Sequence, residues 1–534
     1  MEETHIHQRL LSQMKVRHLA NLFLGATFLI VLGVTLYPFD FTTDGFQRRL
    51  ALFFAQSSKN LRASRDDIIT NIILFLPVGF GAAIIASRNK LRLFSGAGVA
   101  VLAGALLSFC VEMLQVLLPF RYSSALDIAA NAAGALAGYL LFAFVSPLLY
   151  RGMTHAVARG NAGHSAGWLA AGYVAYLLSM LLASIPFQEA ALPNEFDKYP
   201  LCIGNEPTGS RHWCGAIQEL VITRHGMSAP GVADYLGARA LRGNDSDMVL
   251  AHYRFDTQAP YRDWRGLNPL LDWRGAAHDS SAVIVAEDRV RLVPQRWLQT
   301  PSHVYPLSSW ILGTRRFTMC ITVASARAQQ PDNARIVCIA SDPWHQNIAL
   351  VQMGDGLGIR IRSMTAGLNG TNPRFIVPHV FSDTLLHRIV VVLDASLLHV
   401  YVDSTDRHYA LELGPGFGLL HRVFPTNGML DMTSSLKNFH NFLFSVIVFV
   451  PLGYLLGVFV QQVNGGVLAR IFIALIGVPA PPYLLERVLQ YWTGREAITS
   501  NLLIGIALMA GMLLLTFLPA RMKPTRFLKD AVSE

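Results

Sequence analysis

Residues 67–79 read Asp-Ile-Ile-Thr-Asn-Ile-Ile-Leu-Phe-Leu-Pro-Val-Gly. Asp67, Asn71 and Phe75 recur every four residues, so on a helix they share one face. Pro77 interrupts the backbone ladder one turn deeper. The apolar run continues to residue 87, and a run of roughly 20 apolar residues is what a helix needs to cross a bilayer core. This span therefore carries an acid and an amide into hydrocarbon, where nothing solvates them.

Outward from this stretch, other runs of membrane length lie near 18–38, 93–118, 127–149, 167–187, 441–461, 468–489 and 499–519. About eight transmembrane helices are expected. Residues 190–437 contain no such run. They hold most of the charged residues, with Trp, Tyr, Val and Ile at strand-like spacing. The expected fold is mixed, a polytopic α-helical membrane bundle plus an all-β sandwich. Its blocks are 1–190 (membrane), 191–437 (β-rich), 438–520 (membrane) and 521–534 (basic tail). Composition agrees, with 52% hydrophobic and 15% charged residues against about 25% charged in soluble proteins.

The formal charge of +9 points to anionic lipid rather than nucleic acid once the basic residues are placed. Arg9, Lys15, Arg17, Arg88, Lys90, Arg92, Arg151, Arg159, Arg470, Arg521, Lys523, Arg526 and Lys529 fall on one side if the spans alternate. By the positive-inside rule that side is the cytoplasm. Both termini are then cytoplasmic and the β-rich block is periplasmic or extracellular, in a bacterial inner membrane. Loop 39–66, with Arg48, Arg49, Lys59, Arg62 and Arg65, runs against this scheme unless Arg48 to Phe54 forms an amphipathic surface helix. The first span lacks a small-residue cleavage site and reads as an uncleaved anchor.

A second polar group runs Glu112-x2-Gln115, then Arg121, then Asp127-x3-Asn131-x2-Gly134-x3-Gly138. The small residues allow another helix to approach closely. At about 1.5 Å rise per residue, Glu112 sits roughly 10 Å below the loop, and Asn71 and Asn131 about 6 Å below their helix starts. A carboxylate at such depth costs on the order of 2.5 kcal/mol or more unless it is paired or hydrated. Helix capping accounts for Asp67, Asp127 and Ser124-x-x-Asp127. It does not account for Asn71, Glu112, Gln115 and Asn131, which a shared outward-facing polar pocket does.

These motifs, taken over residues 18–150, resemble the VanZ family. The resemblance implies that Asp67, Asn71, Glu112, Gln115, Arg121, Asp127 and Asn131 are members of the family pattern, with no catalytic role attached. It also implies an association with reduced sensitivity to teicoplanin-type glycopeptides. The last spans echo the first block. Asn441-x3-Ser445-x3-Phe449-x-Pro451-x-Gly453 follows the order of residues 67–79, and Glu486, Gln490, Arg495, Asn501 and Gly505 follow that of residues 112–134. Spacings differ and no acid matches Asp127, so the echo reads as a degenerate second unit or as chance similarity of apolar helices.

In the β-rich block, Arg388–Asp394 and Leu397–Asp403 read as a hairpin. Phe317–Val323, Ala334–Ala340, Asn347–Gln352 and Leu357–Arg362 read as strands. Together with Ile203-Gly-Asn205 and Trp213-x-Gly215-x-Ile217 they resemble laminin-G/concanavalin-like, jelly-roll sandwiches. Here the Trp-x-Gly segment comes first, implying circular permutation or a separate edge hairpin. The resemblance implies contact with a surface glycan or envelope protein through rim loops, sometimes with calcium. Asp342, Trp344, Asp355 and Asn369 are rim candidates, with solvated turn roles as the alternative. Cys202 with Cys214, and Cys320 with Cys338, are candidate disulfides; four buried thiols are the other reading.

The expected function is that of an envelope membrane protein binding an amphiphilic or lipid-linked ligand in the polar pocket, with no cofactor or metal. The alternative is a membrane enzyme using Glu112 or Asp127 as acid/base and Arg121 to hold an anionic headgroup. No His-Glu-x-x-His motif, aspartate-rich prenyl-diphosphate motif or pocket histidine accompanies these residues. A transporter is a third reading.

Overall fold

The computed structural model describes residues 46–56, 65–88, 91–118, 125–159, 162–193, 196–238, 241, 244–256, 259–275, 285–286, 288–423, 429–434, 437–463 and 466–517, with scattered positions between Gly25 and Thr43. Arg121, the side chain of Asp67, the tail 521–534 and most of the expected span 18–38 lie outside the described residues. The chain forms two compact units. One comprises Met1–Leu177, Val446–Pro482 and Leu503–Glu534, and the other Leu178–Ser445 and Tyr483–Leu502.

Helices α1 (Phe46–Gln56), α2 (Arg65–Arg88), α3 (Leu93–Gln115), α4 (Ala125–Arg159) and α5 (Ala162–Ala191) come first. A strand-rich stretch follows, with α6 (Ala229–Ala238), α7 (Asn244–Asp247), α8 (Tyr305–Thr314) and α9 (Pro415–Val423) between its strands. The helices α10 (Phe439–Gln462), α11 (Val467–Gly477), α12 (Ala480–Thr493) and α13 (Thr499–Phe517) come last. Among the described residues, six segments are long and apolar enough to cross a membrane: Leu93–Gln115, Leu126–Ala143, Leu169–Ala191, Phe439–Gln462, Val467–Thr493 and Thr499–Phe517. Asn71–Ala86, inside α2, is a shorter apolar helix. The Val467–Thr493 segment is broken between α11 and α12 at Val478-Pro479, where proline removes a backbone donor. The stretch Arg48 to Phe54 falls within α1.

In the first unit, helices α2 and α4 approach to backbone contact. A Cβ on Gly79 would lie 2.0 Å from the Ala135 carbonyl oxygen, one on Gly134 2.4 Å from that of Ile72, and one on Gly138 2.0 Å from that of Leu76. Three glycines thus form one interface, the arrangement by which membrane helices gain dispersion energy without a hydrophobic drive. Ala82, Ala83, Ala86, Ala100 and Tyr139 continue the packing from α2 across α3 and α4. Helix α5 is tied to the later helices by Tyr173, which donates to the Gly477 carbonyl (3.0 Å), and Tyr176, which donates to that of Ile447 (2.7 Å).

The second unit is built on a two-sheet β domain. One sheet runs, in spatial order, Met429–Asp431, Arg374–Val377, Gly356–Ile361, Gln346–Gly354, Gln330–Ala340, Leu201–Ile203, Arg296–Gln299 and Asp272–Gly275. All its pairs are antiparallel except the first. The other runs Ser404–Glu412, Leu397–Val402, His387–Asp394, Phe317–Ser325, Gly215–Thr223, Arg289–Leu292 and Val285–Ala286, with Val249–Arg254 also paired to Gly215–Thr223. Leu220, Ile222, Met319, Ile321, Ile389 and Val391, alternate residues on their strands, are all buried, and Phe317–Ser325 is buried along its whole length, so this sheet is covered on both faces there. The Trp213-x-Gly215 motif has a steric cause, since the fully buried Trp213 indole lies where a Gly215 Cβ would go, 2.2 Å away. Its ring nitrogen donates to Gln352 Oε1 (2.8 Å).

Two expectations are corrected here. Leu201–Ile203 and Gly215–Thr223 occupy interior positions of the two sheets, so the early segment is not an edge hairpin. Cys202 stands opposite Cys338 on neighbouring strands, whereas Cys320 belongs to the other sheet. Cys214 directly precedes Gly215–Thr223 of that other sheet, so each expected pairing, Cys202–Cys214 and Cys320–Cys338, joins different sheets; neither is formed, and all five cysteines are free thiols.

Replacing Gly138 by Val places a branched side chain against the Leu76 carbonyl. The expected result is loss of folded, detergent-extractable protein, while Gly98→Val, in open space on α3, extracts normally. Equal recovery of both variants would show that the α2–α4 contact is not needed.

Candidate functional site

The polar residues at one end of α2, α3 and α4 come together in the first unit. Asp127 lies in the first turn of α4, and its Oδ1 accepts a hydrogen bond from Asn71 Nδ2 on α2 at 2.8 Å. One turn deeper, Asn131 Nδ2 donates to Ser108 Oγ on α3, also at 2.8 Å. Asn131 is 3% exposed and its Oδ1 has no hydrogen-bond partner, an orphaned acceptor of the kind that costs free energy when left dry. Glu112 is 2% exposed, and Gln115 donates from Nε2 to the Thr35 carbonyl (3.0 Å). Asn71 and Asp127 are thus bonded to each other and Asn131 to Ser108, while Gln115 bonds the Thr35 carbonyl, and Glu112 is buried on α3 between Ser108 and Gln115.

Two contributors were not anticipated. Ser108 is four residues before Glu112 and shares its face, a spacing visible in the sequence. Arg49 on α1 donates from Nε to the Val116 carbonyl (2.7 Å) and from Nη2 to that of Thr42 (3.0 Å). Its cation therefore sits where the carbonyl end of α3 is electronegative. Arg49 appears in the sequence only as an inconvenient charge in loop 39–66.

A separate cluster lies wholly within the second unit. Asn441 at the start of α10 donates to Glu412 Oε2 (3.0 Å), and Asn501 at the start of α13 donates to both oxygens of Glu412 (3.2 and 3.0 Å). Arg495, between α12 and α13, meets Glu486 at 3.0 Å and Glu412 at 3.8 Å. Ile498 N–H adds a bond to Glu486 (3.1 Å). Burial pushes the Glu412 carboxyl above its usual range, against the opposing pull of Arg495 and Asn501. Of the echoed residues, Asn441, Glu486, Arg495 and Asn501 converge. Ser445 instead bonds back to the Asn441 carbonyl, and Gln490 accepts from Arg487. Glu412, the last residue of a β-strand, supplies an acid that the helices lack.

Of the rim candidates of the β domain, Asp342 and Asn369 make local turn contacts, Asp355 makes a longer-range pair, and Trp344 is exposed. Asp342 accepts from the Trp344 and His345 amides, Asp355 pairs with His379, and Asn369 accepts from Thr371. Among the described residues no group of three or more His, Cys, Asp or Glu is arranged to hold a metal.

Among the described residues, six apolar segments of membrane length and a two-sheet β domain in the same chain define a multi-pass membrane protein. Residues 11–146 match the VanZ/LLP1 family model, which places the α2–α4 site within that match. No curated protein and no solved structure matches the chain.

The second cluster yields a stability test. Arg495→Gln leaves Glu412 and Glu486 buried without a cation and is expected to destabilise by about 3–5 kcal/mol. Glu412→Gln, which removes one of the two negative charges, is expected to cost far less. Thermal unfolding of the detergent-solubilised chain reads the difference, and equal losses would mean that charge pairing is not what Arg495 contributes.

Proposed function

We propose that the α2–α4 site binds the polar headgroup of an amphiphilic or lipid-linked cell-envelope ligand, presented from the outer face of a bacterial inner membrane. The observation that carries this reading is the convergence of Asn71, Asp127, Asn131 and Ser108 through cross-helix hydrogen bonds beside the buried Glu112. Membrane helices rarely hold so many polar groups without a ligand or a hydrated path. Asp127 and Asn71 are only half-buried, so the ligand reaches this site from the helix ends. Arg49 places a cation at the same end as Gln115 and Val116, suited to an anionic headgroup. The VanZ/LLP1 match supports a setting in the envelope, with glycopeptide sensitivity as the phenotype to examine. The sandwich contributes contact with a surface glycan or an envelope protein. The last helices serve as a second, degenerate unit held by the Glu412 cluster.

A second reading, a membrane enzyme, is favoured by one feature: Asp127 is oriented by Asn71 as a general base would be. The two readings separate in one assay. Full-length protein in lipid nanodiscs is titrated with a polyprenyl-pyrophosphate disaccharide-peptide, and the probe is afterwards recovered and weighed by mass spectrometry. Glu112→Gln and Asp127→Asn are each expected to weaken binding about tenfold or more, the scale of a lost charged hydrogen bond, with the probe returned intact. Conversion of the probe would favour the enzyme, and unchanged affinity in both inserted variants would rule out the site. For topology, a periplasm-dependent phosphatase fused near residue 300 is expected to be active. Activity there of a cytoplasm-dependent reporter instead would reverse the orientation.

A further inference from the structure

Strand register lays a polar row across the outer face of the second sheet. Arg388 stands opposite Thr322, Thr322 opposite Glu219, and Glu219 opposite Arg254, on four successive strands. Directly opposed residues share a face. The next row on that face includes Val390, Cys320 and Val221, and it is covered by Tyr235, Val232 and Leu236 of α6. The helix stops there and leaves the polar row open, forming a cavity of about 620 Å³. That size falls in the range of roughly 300–1,000 Å³ typical of small-ligand sites.

Its chemistry is preorganised. Glu219 accepts from the Tyr235 hydroxyl at 3.2 Å, and its other oxygen meets His252 Nε2 at 2.8 Å. Trp264 stands at the edge with its indole 65% exposed. Its backbone is anchored, since its amide donates to the His252 carbonyl (2.8 Å). The adjoining Asp263 is buried and accepts from the amides of His252, Arg265, Leu267 and Asn268. The Arg254 guanidinium lies 5.6 Å from the indole centroid. His252 also neighbours the ring, with centroids 6.1 Å apart, and an exposed aromatic on an anchored backbone loses less entropy on binding than one on a mobile loop.

Charge selects the ligand class. The carboxylates of Glu219, Asp256 and Asp288 are matched by the guanidinium groups of Arg254, Arg265 and Arg388, three against three. Neither a polyanion nor a polycation gains from such a lining. A peptide strand would use a sheet edge or apolar side-chain pockets, whereas this row crosses a sheet face. A neutral saccharide fits both features. Its C–H face stacks on the indole, and its hydroxyls both donate to the carboxylates and accept from the guanidinium groups. We infer that this cavity, bounded by Glu219, His252, Arg254 and Trp264, is a binding site for a neutral oligosaccharide. The inference rests on the reading of the sandwich as a glycan-contacting domain, and it gives that domain a location distinct from the rim turns.

The test uses the full-length protein in a zwitterionic detergent, because maltoside and glucoside headgroups are themselves neutral sugars. Calorimetric titration with neutral oligomers of glucose, galactose, mannose and N-acetylglucosamine is compared with an oligouronate and an unrelated peptide. At least one neutral oligomer is expected to bind and the oligouronate and the peptide not to. Trp264→Ala should weaken that binding about tenfold or more through the lost stacking area, and Glu219→Gln by a similar factor. Trp344→Ala, equally exposed on another turn, should leave it unchanged, as should Glu112→Gln in the membrane site. Absence of binding by every neutral oligomer, or binding indifferent to Trp264→Ala and Glu219→Gln, would overturn the inference. Because Glu112→Gln is read in parallel, failure of the headgroup site would not be mistaken for failure here.

Discussion

Hydrocarbon does not solvate amides or carboxylates, and the polar side chains gathered on α2, α3 and α4 are arranged as that constraint requires. Asn71 cannot sit on α2 without an acceptor, and Asp127 on α4 supplies it; Asn131 needs an oxygen on α3, and Ser108 supplies that. Such bonds reach across helices only if the backbones lie close, and Gly79, Gly134 and Gly138 permit it. The glycine interface and the polar site are therefore one device. The glycines bring α2 and α4 into register, and the register sets the Asn71–Asp127 distance.

In the second unit the same constraint is met with different parts. Asn441, Glu486, Arg495 and Asn501 occur in the order of their counterparts near the N-terminus, but without an acid opposite the asparagines. Glu412 fills that place from the end of a β-strand, accepting from both Asn441 and Asn501. Two carboxylates then share one guanidinium. A buried ion cluster of this kind adds little net stability over an apolar core, yet breaking it is costly, so it fixes which helix ends meet which strand end.

Helices and strands were legible because burial imposes run length and period on the sequence: the 93–118 run became α3, and the Arg388–Asp394 strand lies within the observed His387–Asp394. The site residues Asn71, Asp127 and Asn131 were legible for the opposite reason, as polar groups where apolar ones belong. Glu412 was not. It looks like any strand-end acid, and its partner Asn501 is 89 residues away. Arg335 and Arg360 show another limit. Both are buried and both donate to Asn333, Arg360 from a different strand, a contact that nothing in either local sequence announces. The cysteine pairing failed similarly, since proximity in sequence does not say which of the two sheets a strand joins.

The contrast between the two clusters bears on which one meets a ligand. Glu486 and Arg495 are 5% and 3% exposed, and Glu412 is satisfied by two asparagines and a shared guanidinium, so a ligand would have to displace an ion pair to enter. At the α2–α4 site Asn71 and Asp127 remain half-buried while Asn131, one turn beyond Asp127, keeps an unpartnered oxygen. Buried atoms without a partner occur in both clusters, Asn131 Oδ1 in the first and Asn441 Oδ1 and Arg495 Nε in the second, so the two differ in exposure and charge pairing rather than in hydrogen-bond saturation. Exposure at Asn71 and Asp127 is what would admit the ligand proposed for the α2–α4 site, whereas the second cluster holds its helix ends against a strand end.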